Sequence, residues 1–185
     1  MKITISGTPG SGKSVVGKYL SKKLKLKYYG VGELFREYAA KMKLNMIEMD
    51  KFLERNKKLD KKINESITKK LNHKNNFVLD SRIGFLFVKN AVHVFLDADL
   101  DLRAKRIFKN KRKLENYKKV GDVKKEINKR LRLERKMFKE IYSVDFTDLR
   151  HYDLVINTTG MNVKIISNII SKYLERNNIK WYMTL

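Results

Sequence analysis

The chain has 185 residues, enough for one domain with a full hydrophobic core and too few for two large domains. It contains no cysteine, which excludes disulfides and thiolate metal sites, and its three histidines are too scattered for a metal-ligand motif. Its 43 lysines and arginines against 20 acidic residues give a net charge of +23, so nucleic acid is a candidate partner. Because the basic residues are spread along the whole chain, we expect any such binding to be non-specific.

The first predicted elements are a strand over residues 1–6 and a helix after residue 13, joined by a loop that matches G-x-x-x-x-G-K-S/T. Glycines let such a loop curl around phosphate groups, and the helix N-terminus adds partial positive charge. We therefore predict nucleoside triphosphate binding, with Lys13 on the β- and γ-phosphates and Ser14 on Mg²⁺. A chance glycine-rich turn is the alternative, but strand, loop and helix follow in the required order. The predicted binding residues are Gly7, Thr8, Pro9, Gly10, Ser11, Gly12, Lys13, Ser14 and Val15.

The next segment is predicted to be a short strand over residues 27–29 and a helix over residues 33–43. The helix is predicted to place one apolar face inward, made of Leu34, Phe35, Tyr38, Ala39 and Met42. Arg36 then points elsewhere and is a candidate ligand for the phosphate of a second substrate. The alternative is an ordinary exposed arginine. Residues 46–71 are predicted to form two or three further short helices.

A buried strand is predicted over residues 76–80, and it ends in the sequence Asp80-Ser81-Arg82. Side chains at this end of a parallel strand lie near the phosphate site, so Asp80 is a candidate for holding a Mg²⁺-bound water. Arg82 is a candidate for contacting the acceptor nucleotide. In the alternative interpretation Asp80 caps the next segment and pairs with Arg82.

The remaining pattern predicts strands over residues 91–96 and 152–157 and helices over residues 100–111, 120–142 and 163–177. Five strands alternating with helices indicate an α/β fold, a doubly wound parallel sheet with its ligands at the carboxyl ends of the strands. We expect a single domain over residues 1–185 with two helical insertions, about 30–71 and about 109–141. Enzymes that transfer phosphoryl groups must exclude water, and paired flaps over the site would serve that purpose.

Basic residues are dense around the second insertion, with seven between Arg103 and Lys113 and no acidic residue among them. Such a block either closes on polyphosphate or forms a solvated face. Arg130 and Glu134 are four residues apart on one predicted helix, a spacing that favours an ion pair and could also present Arg130 to phosphate.

The chain shows neither a long apolar run at its start, as a cleavable signal requires, nor an apolar segment long enough to span a bilayer. We expect a monomer that is soluble and cytoplasmic, with no membrane partner.

Several segments together resemble the nucleoside monophosphate kinases, and most closely the archaeal-type cytidylate kinases. The phosphate loop is shared by many nucleotide-binding proteins, whereas the Phe-Arg-Glu helix and the Tyr-Asp-Leu-Val-Ile-Asn-Thr strand are more specific. The likeness covers nearly the whole chain and rests on residues 7–14, 30–37, 79–82, 95–98 with Arg103 and Arg106, 139–142 and 152–158.

The resemblance implies a P-loop kinase that transfers the γ-phosphoryl group of ATP, with Mg²⁺, to CMP or dCMP. It implies a core, a monophosphate-binding insertion and a lid. In this interpretation Arg36 binds the monophosphate, Arg82 contacts the acceptor side, and Arg106 and Arg130 converge on the transferred group from the lid. The alternatives are an adenylate kinase or another small-metabolite kinase, and, from a different class, a basic RNA-associated ATPase.

Overall fold

A computed structural model of the chain describes residues 1–110 and 117–177, apart from the side chains of residues 68–70 and 72. The sheet strands are β1 Lys2–Gly7, β2 Lys27–Gly30, β3 Phe77–Asp80, β4 Val92–Asp97 and β5 Leu154–Asn157. The first helices are α1 Lys13–Lys23, α2 Val31–Lys41, α3 Met46–Arg55 and α4 Lys57–Asn72. They are followed by α5 Gly84–Phe87, α6 Leu100–Lys109, α7 Val120–Tyr142 and α8 Val163–Arg176, with a 3-10 turn at Leu149–His151 before β5.

The five strands form one parallel sheet in the order β2-β3-β1-β4-β5, which confirms the predicted fold class. β1 is central, so the chain crosses to one side for β2 and β3 and to the other for β4 and β5. Ligands bind in sheets of this kind outside the carboxyl ends of the strands, at the point where the strand order reverses. Here that point is the carboxyl end of β1, where the phosphate loop begins.

Alternation along the strands divides the core between the two faces of the sheet. Ile3, Ile5, Val94 and Leu96 pack on one face with apolar side chains of α1 and α8. Phe95 points to the opposite face, into a second cluster with apolar side chains of α3, α7 and the loop that follows α7. Since successive strand side chains point to opposite faces, one strand supplies both clusters. The sheet is thus covered on both sides, as a parallel sheet requires.

The two predicted insertions correspond to helices that leave the sheet and return to it. α2, α3 and α4 lie between β2 and β3, and α7 lies between β4 and β5. α3 begins at a capping box, in which the Asn45 side chain accepts from the Glu48 backbone N–H at 3.0 Å and the Glu48 carboxylate accepts from the Asn45 N–H at 2.7 Å. Residues 111–116 of the predicted lid lie outside the described residues, as does the last predicted residue of the helix over 100–111.

The prediction of one apolar face on α2 is wrong for three of its five residues. The helix buries Val31 and Ala39, with Phe35 partly buried between them, and Leu34, Tyr38 and Met42 are exposed. Consecutive helical residues are about 100° apart around the axis, so the two sets form separate stripes. Among the described helices, none has the length and apolar character of a membrane-spanning segment.

Candidate active site

The phosphate loop connects the end of β1 to the start of α1 and is shaped by the close approach of β4. Gly7 has a φ of 142°, and a Cβ atom on it would lie 1.9 Å from the Leu96 carbonyl oxygen. Gly12 also has a positive φ, 97°, immediately before the helix begins. Residues with side chains adopt these backbone angles only with strain, which explains the glycines at both positions.

Lys13 lies inside the curve of this loop. Its Nζ donates hydrogen bonds to the carbonyl oxygens of Gly7, at 2.9 Å, and Thr8, at 2.8 Å. Burial of the ammonium group, and then the positive charge of Arg82, lower the pKa of Lys13 well below its ordinary value. Negative charge placed beside Lys13 would therefore stabilise its protonated form.

Ser14, in the first turn of α1, meets Asp80 at the carboxyl end of β3. The Ser14 hydroxyl donates to Asp80 Oδ2 at 2.5 Å, and the Tyr28 hydroxyl donates to the same oxygen at 3.1 Å. A hydroxyl and a carboxylate are hard oxygen ligands of the kind that Mg²⁺ prefers when substrate phosphates complete its coordination. These two side chains therefore fit the predicted metal site. Among the described residues no group of three or more His, Cys, Asp or Glu side chains could hold a metal by itself.

Glu134 joins Arg82, which was predicted to contact the acceptor side, to Arg130, which was predicted to reach the transferred group from the lid. Its carboxylate accepts from Arg82 Nε at 2.8 Å and lies 3.1 Å from Arg130 Nε, which confirms the predicted ion pair between Arg130 and Glu134. Arg130 Nε also lies 2.9 Å from Asp50 Oδ2 on α3. Arg82 donates in addition to the Gly7 carbonyl at 2.7 Å, so this network reaches the phosphate loop. Arg82 pairs with Glu134, whereas the alternative interpretation paired it with Asp80.

Burial and charge pairing act in opposite directions on the pKa of the two buried carboxylates in this network. Burial alone would raise the pKa of Glu134, but the charges of Arg82 and Arg130 outweigh burial and lower that pKa below its ordinary value. At Asp50 burial has the larger effect and raises the pKa to about 7, with Arg130 acting in the opposite direction. Glu134 is therefore the carboxylate that stays charged between the arginines at neutral pH.

Arg106 is placed on α6, before the predicted lid, and it is held by the core. Its guanidinium donates to the Ser11 carbonyl at 3.3 Å, to the Thr158 hydroxyl at 3.0 Å and to the Thr158 carbonyl at 3.1 Å. A Cβ atom on Gly12 would lie 3.8 Å from Arg106 Nη1. Arg106 therefore lies beside the phosphate loop. Arg36 of α2 lines the same cavity.

One cavity of about 580 Å³ brings these residues together. It extends from the phosphate loop to the helices between β2 and β3 and to α7. Of the predicted binding residues, Gly7 and Thr8 form the base of the loop and do not line the cavity. The lining includes the other predicted site residues, which are Pro9, Gly10, Ser11, Gly12, Lys13, Ser14, Val15, Arg36, Asp80, Arg82, Arg106 and Arg130.

Sequence reasoning missed three polar residues that line the same cavity, Asp50, Asp60 and Asn64. All three are buried. Each lies on the buried stripe of its helix. Asp50 falls between Met46 and Leu53 on α3, and Asp60 and Asn64 lie on either side of Ile63 on α4. A polar side chain on an otherwise apolar stripe is the signal that could have found them.

A family model described as "Cytidylate kinase-like family" matches residues 2–160, a range that holds every site residue named above. A cytidylate kinase of Sulfurisphaera tokodaii is 39% identical over 177 residues, covering 95% of this chain and 96% of that protein. A cytidylate kinase of Sulfolobus acidocaldarius is 36% identical over 181 residues and covers 97% of each chain.

Among solved structures, a shikimate kinase of Bacteroides thetaiotaomicron aligns with a TM-score of 0.64 at 16% identity. The alignment covers 95% of this chain and 98% of that one, and at this identity it shows a shared P-loop kinase fold. The sequence matches carry more detail, because they extend through the loop, both sets of inserted helices and the last strand. By these matches the chain belongs to the cytidylate kinase-like family.

Proposed function

We propose that the protein transfers the γ-phosphoryl group of ATP to CMP or dCMP, giving ADP and CDP or dCDP. The observation that carries this proposal is one cavity lined by the phosphate loop, by Arg36 and by a set of buried polar side chains. A donor and an acceptor nucleotide can share such a cavity with their phosphates meeting at the arginines. Membership of the family supports pyrimidine nucleotides as acceptors.

In the proposed reaction an oxygen of the acceptor phosphate attacks the γ-phosphorus of ATP. The bond between that phosphorus and the β–γ bridging oxygen breaks, and ADP leaves with the electron pair. The acceptor phosphate is already ionised, so no strong general base is required, and the protein contributes positioning and charge neutralisation. Lys13 would bind the β- and γ-phosphates, Arg36 would hold the acceptor phosphate, and Arg82, Arg106 and Arg130 would stabilise charge on the transferred group.

Ser14 and Asp80 would hold Mg²⁺, which when bound neutralises phosphate charge and orients the triphosphate. The Ser14 hydroxyl and the Asp80 carboxylate are already in contact. Mg²⁺ binding would replace that hydrogen bond, with the Ser14 hydroxyl as a metal ligand and the Asp80 carboxylate holding the metal or a water bound to it.

A substrate panel tests the proposal. Purified protein is supplied with ATP and Mg²⁺ and with AMP, CMP, dCMP, UMP or GMP, and ADP release is followed. We expect CMP or dCMP to give the highest kcat/KM. The highest kcat/KM with AMP would contradict the proposal and favour an adenylate kinase, and no monophosphate-dependent turnover would favour an ATPase of another kind.

Replacing Lys13 tests the role of the loop. Lys13→Ala should abolish CMP-dependent turnover, because the variant loses the cation that binds the transferred phosphate. Lys22→Ala is the matched control, since Lys22 is exposed on the same helix. Retention of about a tenth or more of the wild-type rate in Lys13→Ala would contradict the assignment.

A further inference from the structure

Asp60 and Asn64 form a polar pair in the part of the cavity that α4 lines. They lie one turn apart on α4, are 1% and 5% exposed, and both line the cavity. The cavity is also lined by apolar side chains of α3 and of the second half of α7, namely Met46, Leu53, Met137 and Phe138, and by the charged Asp50, Arg130 and Glu134 of the same helices. A planar ring with a polar edge suits such surroundings, because apolar walls cover its faces and the polar pair meets its edge.

The hydrogen bonds of this pair converge on one oxygen of the carboxylate. Asp60 Oδ2 accepts from the Tyr142 hydroxyl at 2.8 Å and from Asn64 Nδ2 at 3.1 Å. Asn64 Nδ2 also donates to the Asp60 backbone carbonyl at 3.0 Å. Asp60 Oδ1 accepts no hydrogen bond from the described part of the chain. The carboxylate is thus fixed through one oxygen, and the other has acceptor capacity left for a ligand.

The Tyr142 ring, which supplies the first of these donors, is itself held by aromatic neighbours. It meets Phe87 edge to face at 5.6 Å and lies 6.2 Å from Phe138. Phe138 also lines the cavity. The packing of the Tyr142 ring therefore fixes the position of the hydroxyl that donates to the Asp60 carboxylate.

The chemistry of the pair limits what it can bind. A carboxylate only accepts hydrogen bonds and repels phosphate, so its ligand is a hydrogen-bond donor. Burial raises the pKa of Asp60, against the effect of the hydrogen bonds from Tyr142 and Asn64. One further donor would stabilise the carboxylate. Cytosine carries such a donor in its exocyclic amino group, whereas uracil has an acceptor oxygen at the same position.

We propose that Asp60 Oδ1 accepts a hydrogen bond from the exocyclic amino group of the acceptor base, and that Tyr142 and Asn64 act as positioning residues for this carboxylate. Asp60 then favours cytosine over uracil. This inference rests on the proposed function, because it assigns the base contact of the same site.

Asp60→Asn tests the inference with little change in shape. The amide oxygen of the new side chain can accept from Tyr142 and Asn64, which places its NH₂ group toward the cavity, where it suits the uracil oxygen. We expect kcat/KM for CMP to fall by about 10- to 100-fold and kcat/KM for UMP to rise. The ratio of the two should fall by about 100-fold or more, with Kd for ATP unchanged. Glu65→Gln is the matched control on the same helix, since Glu65 does not line the cavity.

Tyr142→Phe provides a second variant in case Asp60→Asn does not fold. It removes one donor from Asp60 Oδ2 and keeps the ring, so the CMP to UMP ratio should fall by about 3- to 10-fold. A purely structural role for the hydroxyl would lower both activities together and leave the ratio unchanged.

The outcomes separate this inference from the proposed function. Wild-type activity on CMP, with an unchanged CMP to UMP ratio in the folded variants, would overturn the inference alone. A change confined to the CMP to dCMP ratio would assign Asp60 to the sugar and would also overturn it. Failure of the wild-type protein to use any pyrimidine nucleotide would overturn the proposed function and this inference with it.

Discussion

Glu134 is the carboxylate that compensates the positive charges of two site arginines, Arg82 and Arg130. It is 3% exposed and contacts both Arg82 and Arg130, and Arg82 in turn reaches the Gly7 carbonyl of the phosphate loop. Without it, two guanidinium groups and Lys13 would face one another across a cavity with less compensating charge. Desolvation of a buried carboxylate costs free energy, and here the ion pairs with Arg82 and Arg130 offset that cost.

Glu134→Gln should therefore lower both stability and activity. Removing one partner of a buried ion network leaves uncompensated charge, so we expect the free energy of unfolding to fall by about 3 kcal/mol, measured by urea denaturation without nucleotide. Lys136→Gln is the control on the same helix, because the pair formed by Lys136 and Glu54 is exposed to solvent and should contribute little to stability. Equal effects of the two substitutions would contradict this role of Glu134.

Substitution of Arg36 distinguishes use of the acceptor nucleotide from binding of ATP. If it holds the acceptor phosphate, Arg36→Met should lower kcat/KM for CMP by about 100-fold, because charge-assisted hydrogen bonds to phosphate are lost. Kd for ATP, measured by calorimetry, should change by less than about threefold. Arg55→Met, at an exposed position of the same insertion, is the control. Comparable losses in CMP use and ATP affinity would contradict the assignment.

At the scale of elements, the approach of β1 to β4 determines the shape of the phosphate loop. The two strands pair up to Gly7 and Leu96, and the Thr8 backbone N–H then donates to the Leu96 carbonyl at 3.2 Å. The contact leaves no room for a side chain at Gly7. The backbone conformation at the start of the loop is therefore determined by the pairing of β1 with β4.

Gly7→Ala should destabilise the protein severely, by more than about 3 kcal/mol in thermal or urea unfolding, since the methyl group would collide with backbone. Gly160→Ala is a matched control. Gly160 also has a positive φ, 71°, but nothing lies within 4 Å of the position its Cβ would take. Its substitution should cost only the backbone strain, about 1 to 2 kcal/mol. Similar losses at both positions would show that the clash with Leu96 is not the cause.

The elements that the sequence predicted well are those with a strong local signal. The buried strands are short apolar runs, and the phosphate loop has its own motif, so the sheet and the position of the loop between β1 and α1 followed from the pattern. The exposed stripe of Leu34, Tyr38 and Met42 was misassigned because an apolar side chain does not by itself report burial. Asp50, Asp60 and Asn64 were missed because their role depends on residues distant in the chain, such as Arg130 and Tyr142.

At the scale of the whole molecule, the net charge of +23 exceeds what the active site requires. Exposed lysines lie on α1, α2, α4, α6 and α7, so they surround the molecule. A charge distribution of this kind attracts polyanions through counterion release without reading sequence. The cavity and the outer surface are then expected to bind different ligands independently.

Binding to RNA should therefore be salt-dependent and indifferent to sequence. With fluorescently labelled single strands of two unrelated sequences, we expect equal affinities and a loss of at least about 100-fold between about 50 and 200 mM KCl. Lys13→Ala should bind RNA as the wild-type protein does while losing ATP. A clear sequence preference, or affinity that survives the higher salt, would instead favour an RNA-associated ATPase.

One rigid helix, α7, contacts both halves of the cavity. Arg130 and Tyr142 are twelve residues apart on it, a separation of about 18 Å at the usual rise per residue. The first reaches Asp50 and Glu134, and the second holds Asp60. A tilt of α7 would displace the guanidinium and the phenol together, so with the proposed roles of Arg130 and Asp60 we expect turnover and discrimination between acceptors to change together. Evolution or engineering that repacks the outside of α7 would shift both properties in one step.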